Sequence, residues 1–140
     1  MAERIADKMA LEAGLTGVRF TSAGTSDDDI GHPIDARAVT ELRAGGYRTT
    51  NHRAHQITAQ EIRDADLVVA MEDVHVEKMR DLVPDANNIR LLTDFDPEAR
   101  PGSGIPDPWY GKPAAFAATK TQLERAIPGV LDWVRAHAAA

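Results

Sequence analysis

The sequence predicts an α/β fold, a three-layer sandwich in which helices cover both faces of a parallel sheet. Helical and strand patterns alternate along the chain, and this alternation is typical of parallel strands joined by helices. Residues 67–71 are all apolar, as expected for a strand covered by helices on both faces. A length of 140 residues suits one domain with a substantial core, so we expect residues 1–140 to form a single domain.

Composition excludes several functional classes. The chain has 43% hydrophobic and 27% charged residues, which is ordinary for a globular protein. Its 16 basic and 22 acidic residues give a formal charge of −6, and this argues against a nucleic-acid partner, which needs a concentrated basic surface. The longest apolar run, residues 67–71, is far too short for a membrane span, and no signal peptide is evident. We therefore expect a cytoplasmic protein without a membrane partner.

Cysteine is absent from the 140 residues. Its absence excludes disulfides and thiolate metal sites within this sequence. It also means that these residues include no thiol nucleophile.

The first elements are a helix and a strand. Residues 2–14 carry an apolar stripe at spacings of three and four, which predicts a helix, and Gly14 is a candidate stop signal. The polar face of this helix is predicted to consist of Glu3, Arg4, Asp7, Lys8 and Glu12. Residues 18–22 alternate between apolar and polar side chains, which predicts a strand with one wetter face.

Two capped helices follow a loop over residues 23–33. Asp35 is a candidate N-cap for a helix that ends at Gly45 and Gly46. Thr58 and Glu61 match a capping box, so a short helix is predicted over residues 59–64.

The second half alternates strands and helices. Strands are predicted over residues 66–71 and 89–92, with a helix over residues 73–83 between them. Residues 93–112 are predicted to form a long loop, and loops of that length inside a domain are usually functional. A helix is predicted from about residue 114 to residue 138, and Pro128 within it either kinks the helix or starts a new one.

The long loop contains the most distinctive stretch of the chain, residues 104–111. Asp107 lies between Pro106 and Pro108, whose φ angles are locked, so its carboxyl group is held on a stiff segment. Trp109 and Tyr110 follow directly. A carboxyl group beside two aromatic rings suits a general acid next to a slot for a flat ring, although Asp-Pro and Pro-Gly combinations also mark ordinary turns.

Several short motifs, in order and at matching spacing, make the sequence resemble the low-molecular-weight protein-tyrosine phosphatases, and most closely the bacterial members. They are Met1-Ala2-Glu3, Thr21-Ser22-Ala23-Gly24-Thr25, Asp35-Ala36-Arg37-Ala38, His52-Arg53-Ala54 with Gln56, and Asp107-Pro108-Trp109-Tyr110-Gly111. The last of these resembles the Asp-Pro-Tyr-Tyr-Gly loop of that family. The resemblance covers nearly the whole chain.

The resemblance implies hydrolysis of phosphotyrosine or aryl phosphomonoesters in two steps, through a phosphocysteine intermediate. Asp107 would be the general acid and then the general base. Trp109 and Tyr110 would wall the slot for the substrate ring, and Ser22 and His52 would brace the phosphate loop. The implied partner is a phosphotyrosine-containing protein or a small aryl phosphate, and the resemblance implies no cofactor and no metal.

One defining part of the family pattern is absent, the Cys-x5-Arg phosphate loop with the strand before it. In the family this loop lies immediately before the residues that match Met1-Ala2-Glu3. The expectation is therefore that the sequence is truncated at its N-terminus and that Met1 is an internal methionine. We also expect the 140 residues alone to be inactive, and to be less stable than the roughly 5 kcal/mol of an ordinary domain, because a central strand is missing.

Three other functions remain open at this point. A catalytically dead relative could act as a binding module on the same fold. Arsenate reductases of this fold need further cysteines, which the chain lacks. Protein-arginine phosphatases of this fold tend to have Asp-Pro-Phe-Gly, whereas Trp109 and Tyr110 favour phosphotyrosine.

Overall fold

The computed structural model describes residues 1–28, 30–108 and 111–138, and it alternates helices with two short strands. The elements are α1 (Ala2–Glu12), α2 (Ala36–Ala44), α3 (Ala59–Asp64), β1 (Val68–Ala70), α4 (Asp73–Leu82), β2 (Ile89–Leu91), a 3₁₀ turn (Leu92–Phe95) and α5 (Pro113–Ala138). In these residues no helix combines the length and apolar character needed to cross a bilayer.

The two strands form a parallel pair with hydrophobic clusters on both sides. Val68 lies opposite Ile89, and Ala70 lies opposite Leu91. Successive side chains of a strand point to opposite faces. Val69 accordingly packs on a cluster built from α1, α2 and α5, whereas Val68 and Ala70 belong to a cluster with α3 and α4. Helices therefore lie on both faces of the parallel sheet, which confirms the α/β sandwich.

The predicted N-cap residues, Asp35 and Thr58, cap the first turns of α2 and α3. The Asp35 carboxylate accepts a hydrogen bond from the backbone N–H of Arg37 at 2.8 Å. At α3, the Thr58 hydroxyl accepts from the N–H of Glu61 at 3.2 Å, and the Glu61 carboxylate accepts from the N–H of Thr58 at 3.2 Å. These bonds satisfy backbone donors that have no partner inside the first turn of a helix. Both cap predictions are confirmed.

The predicted strand over residues 18–22 is wrong. Burial does alternate there, with Val18, Phe20 and Ser22 half-buried and the residues between them exposed. A strand needs a neighbouring backbone that offers donors and acceptors, and among the described residues this segment forms no ladder. The first ladder contact follows at Gly24, which forms an isolated parallel bridge with Gln56.

Two further boundaries differ from the prediction. β1 covers only Val68–Ala70, and Leu67, Val68 and Val69 are half-buried rather than fully buried. Leu92 does not extend β2, because it begins the 3₁₀ turn. This turn occupies the start of the long loop predicted over residues 93–112. Hydrophobicity alone could not predict where β2 ends, because Leu92 in the 3₁₀ turn is as buried as a strand residue would be.

Helix α5 continues through Pro128, so this proline does not start a new helix. The next residue, Gly129, faces the 3₁₀ turn at very close range. A Cβ atom added at Gly129 would lie 2.3 Å from the carbonyl oxygen of Phe95 and 3.0 Å from the Phe95 Cβ. Glycine is therefore required there by the close approach of two backbones.

We predict that Gly129→Ala destabilises the protein by about 1–3 kcal/mol, as overpacking of a core does. The sign is informative, because alanine in an unconstrained helix interior is favoured over glycine by about 1 kcal/mol. Ala118→Gly, at an exposed position of the same helix, is the control and should lose stability through that propensity. Urea unfolding measures both, and a Gly129→Ala variant more stable than its parent would contradict the packing argument.

Candidate active site

The segment that contains Asp107 is anchored at the carboxyl end of β1. Ile105 is 3% exposed, and its backbone N–H donates to the carbonyl oxygen of Met71 at 2.7 Å. Met71 directly follows β1. In open parallel sheets of α/β proteins, ligands bind outside the carboxyl ends of the strands. Asp107 follows this anchor by two residues, and its side chain is exposed.

Glycine is needed at both ends of this segment, at Gly104 for its backbone conformation and at Gly111 for close packing. Gly104 has a φ of +69°, a left-handed conformation that most side chains disfavour. Gly111 donates its N–H to the carbonyl oxygen of Pro108 at 2.7 Å and closes a turn. A Cβ atom on Gly111 would lie 2.5 Å from the Cβ of Ala115, so the turn packs directly on the start of α5. The predicted ring-binding residues Trp109 and Tyr110 lie outside the described residues.

An arginine that the sequence analysis did not assign to the site lies beside this segment. Arg37 donates a hydrogen bond from Nη1 to the carbonyl oxygen of Gly111 at 3.4 Å. Its guanidinium carbon lies 4.5 Å from the centre of the Phe116 ring. No sequence pattern indicates these contacts, since Gly111 is 74 positions away.

Ser22 and His52 both line a polar cavity of about 290 Å³. The other residues lining it are Glu3, Arg4, Asp7, Arg19, Phe20, Thr21, Arg48, Asn51, Arg53 and His55. The two predicted supporting residues are thus brought to one place. Asp107 is not among the described residues that line this cavity.

His52 is an uncharged group at neutral pH. Burial lowers the pKa of its imidazole below the usual 6.5, and the Arg4 charge acts in the same direction. The carboxylate of Glu3, whose Oε2 lies 3.5 Å from His52 Nδ1, opposes this shift without reversing it. A neutral imidazole has one donor and one acceptor nitrogen, so His52 can exchange hydrogen bonds with a neighbouring backbone.

Arg4 is buried, which corrects its assignment to the polar face of α1. The side chain is 5% exposed, and its Nη2 donates to the carbonyl oxygen of Thr50 at 2.9 Å. Its Nε lies 3.8 Å from Glu3 Oε2 and has no hydrogen-bond partner among the described residues. The helical pattern could not reveal this, because the hydrogen-bond partner of Arg4 lies 46 positions away.

Comparison with known proteins finds one family along nearly the whole chain. The profile of the family described as "Low molecular weight phosphotyrosine protein phosphatase" matches residues 1–139. The low molecular weight protein-tyrosine phosphatase A of Mycobacterium tuberculosis is 38% identical over 136 residues, which cover 96% of this chain and 82% of that protein. The low molecular weight protein-tyrosine-phosphatase of Streptomyces coelicolor is 35% identical over 140 residues, which cover 96% of this chain and 85% of that protein.

The fold is also found among solved structures. A protein tyrosine phosphatase from Entamoeba histolytica superposes with a TM-score of 0.88 at 23% identity. The superposition covers 96% of this chain and 86% of that one. At this identity the similarity establishes the fold alone.

Proposed function

Since this chain belongs to the low molecular weight phosphotyrosine protein phosphatase family, we propose that it supplies the acid–base part of an active site that hydrolyses aryl phosphomonoesters, including phosphotyrosine. The observation that carries the proposal is the position of Asp107. Its carboxyl group is exposed on a proline-locked segment whose Ile105 is hydrogen-bonded to the end of β1.

Asp107 would act in both steps of the reaction. In the first step a cysteine thiolate attacks phosphorus, the P–O bond to the phenol breaks, and the leaving oxygen takes the proton of the Asp107 carboxyl group. In the second step the Asp107 carboxylate takes a proton from water, which attacks phosphorus and releases inorganic phosphate from the cysteine. The thiolate must come from outside these 140 residues, because they contain no cysteine.

Ser22 and His52 would act on the phosphate loop rather than on the substrate. They line one polar cavity, where a hydroxyl group and a neutral imidazole offer donors and acceptors to a loop backbone. Trp109 and Tyr110 would wall the slot for the phenol ring. That assignment rests on their family motif.

The alternative is a binding module without catalysis, and the observation that favours it is the absence of cysteine from these residues. The two functions differ in what a restored phosphate loop would do. In a phosphatase the loop completes the site, because it adds the nucleophile and the phosphate-binding backbone. In a binding module, adding the loop would not produce catalysis, because the remaining residues would not act as acid and base.

We predict that the 140-residue chain does not hydrolyse p-nitrophenyl phosphate and that a fusion with a preceding strand and Cys-x5-Arg-Ser-Pro loop does. The same fusion with serine in place of its cysteine is the matched control and should be inactive. Turnover by the 140-residue chain that survives repurification would contradict the assignment of the nucleophile. A fusion that unfolds cooperatively but shows no turnover would favour the binding module.

A further inference from the structure

Arg37 occupies a fixed position at the start of α2. Its Nε lies 3.1 Å from Oδ1 of Asp35, and its Nη2 lies 3.2 Å from Oδ2 of the same carboxylate. Asp35 is itself held by the backbone N–H of Arg37, since it caps the helix. A two-point contact between guanidinium and carboxylate restricts orientation as well as distance. The guanidinium plane is therefore set by α2.

Two further contacts of Arg37 reach the turn after Asp107 and the first turn of α5. Nη1 donates to the Gly111 carbonyl oxygen at 3.4 Å, and the guanidinium lies over the ring of Phe116, which is 4% exposed. The Gly111 N–H donates in turn to the carbonyl oxygen of Pro108. One cation thus connects the start of α2, the turn after Asp107 and the first turn of α5.

Asp107 lies within the electrostatic reach of the same cation. The pKa of the Arg37 guanidinium is raised above its usual value, first by its hydrogen bond to Asp35 and further by the charges of Asp35 and Asp107. The other end of the segment is fixed independently, because Ile105 is buried and hydrogen-bonded to Met71. The carboxylate is therefore held between one anchor on β1 and one on α2.

We propose that Arg37 is the positioning residue for Asp107, holding the turn after it so that the carboxyl group is presented at the carboxyl edge of the sheet. The inference rests on the proposed role of Asp107 as acid and base. Arg37 itself does not touch the reacting atoms in this scheme. Lysine cannot replace it, since an ammonium group lacks the planar fork that bonds Asp35 at two points while reaching Gly111.

A first experiment measures the segment in the 140-residue chain by amide hydrogen exchange in NMR spectra. Arg37→Met should speed exchange of the Gly111 amide about threefold to tenfold, because one anchor of its turn is lost. The amide of Ile57, which bonds Gly24 elsewhere in the fold, should not change. Arg43→Met is the matched control, since Arg43 lies on the same helix and its Nε donates to the Thr49 hydroxyl, away from the Asp107 segment.

Exchange data also separate positioning from general destabilisation. Unchanged exchange at Gly111 would overturn the inference. An equal acceleration at Gly111 and Ile57 would overturn it too, because Arg37 would then only stabilise the fold. Should Arg37→Met unfold the protein, Arg37→Lys keeps the charge and removes the fork, and it should give the same local acceleration.

A second experiment uses the fusion that carries the phosphate loop. Arg37→Met should lower kcat about tenfold with little change in KM, and it should cause no further loss once Asp107 is already Asn. Losses that multiply in the double variant would overturn the inference while leaving the role of Asp107 intact. If Asp107→Asn alone leaves kcat unchanged, the proposed function fails, and the exchange experiment still decides whether Arg37 orders the turn.

Discussion

Replacement of Asp107 by asparagine is expected to lower kcat of the loop-containing enzyme about 10²–10⁴-fold, the usual contribution of a positioned general acid. An amide has nearly the shape of the carboxyl group but cannot supply a proton to the leaving oxygen. KM should change much less than kcat, because the lost interaction is made in the transition state. Steady-state kinetics with phosphotyrosine measure both constants, and the loss with p-nitrophenyl phosphate should be smaller.

The dependence on the leaving group distinguishes proton donation from other roles of Asp107. A phenol of high pKa needs protonation as it leaves, whereas p-nitrophenolate leaves readily without it. The loss in kcat/KM, which reports only the first step, should therefore grow along a series of phenols of increasing pKa. Asp94→Asn, at an exposed carboxylate of the preceding 3₁₀ turn, is the control and should leave kcat unchanged. An equal loss in kcat/KM with every phenol would exclude Asp107 as the acid.

Local chemistry made the capped helices and the strand pair predictable from the sequence. The Thr58–Glu61 capping box is complete within four residues, so its hydrogen bonds depend on little outside α3. The sequence correctly predicted a sheet strand around β1, because residues 67–71 are apolar on both faces. Two hydrophobic clusters contact this strand from opposite sides. Patterns of this kind need only short-range information.

What the sequence did not reveal depends on contacts between distant segments. Asn88 donates to the carbonyl oxygens of Ile62 at 2.7 Å and Ala65 at 2.9 Å, and so caps the end of α3 from 23 or more positions away. Residues 18–22 have the alternation of a strand, but alternation cannot supply the neighbouring backbone on which a ladder depends.

The candidate site shows the same division. Asp107 could be chosen as a candidate from the sequence because its prolines and its family motif are contiguous. Arg37 was not predictable as its neighbour, since the hydrogen bond to Gly111 joins α2 to a turn 74 positions away. Buried Arg4 was predicted on a polar face because helical periodicity counts arginine as exposed, and its hydrogen bond to the Thr50 carbonyl oxygen is made with a distant segment.

The hydrophobic cluster formed by α1, α2 and α5 includes the helix that carries Arg37. Leu42 is fully buried in it, and α2 also carries Arg37. Leu42→Ala should lower the free energy of unfolding by about 2–5 kcal/mol, through lost burial and the cavity left behind. Because the 140 residues are expected to be less stable than the roughly 5 kcal/mol of an ordinary domain, this loss is a large fraction of the total.

Leu11→Ala is the matched control, because the chemical change is identical and Leu11 is 80% exposed. It removes little buried surface, and alanine is the better helix former, so its unfolding midpoint in urea should stay close to that of the parent. Equal losses for the two variants would mean that Leu42 is not packed in this cluster. A large loss confined to Leu42→Ala, together with faster amide exchange at Gly111, would link packing under α2 to the order of the turn after Asp107.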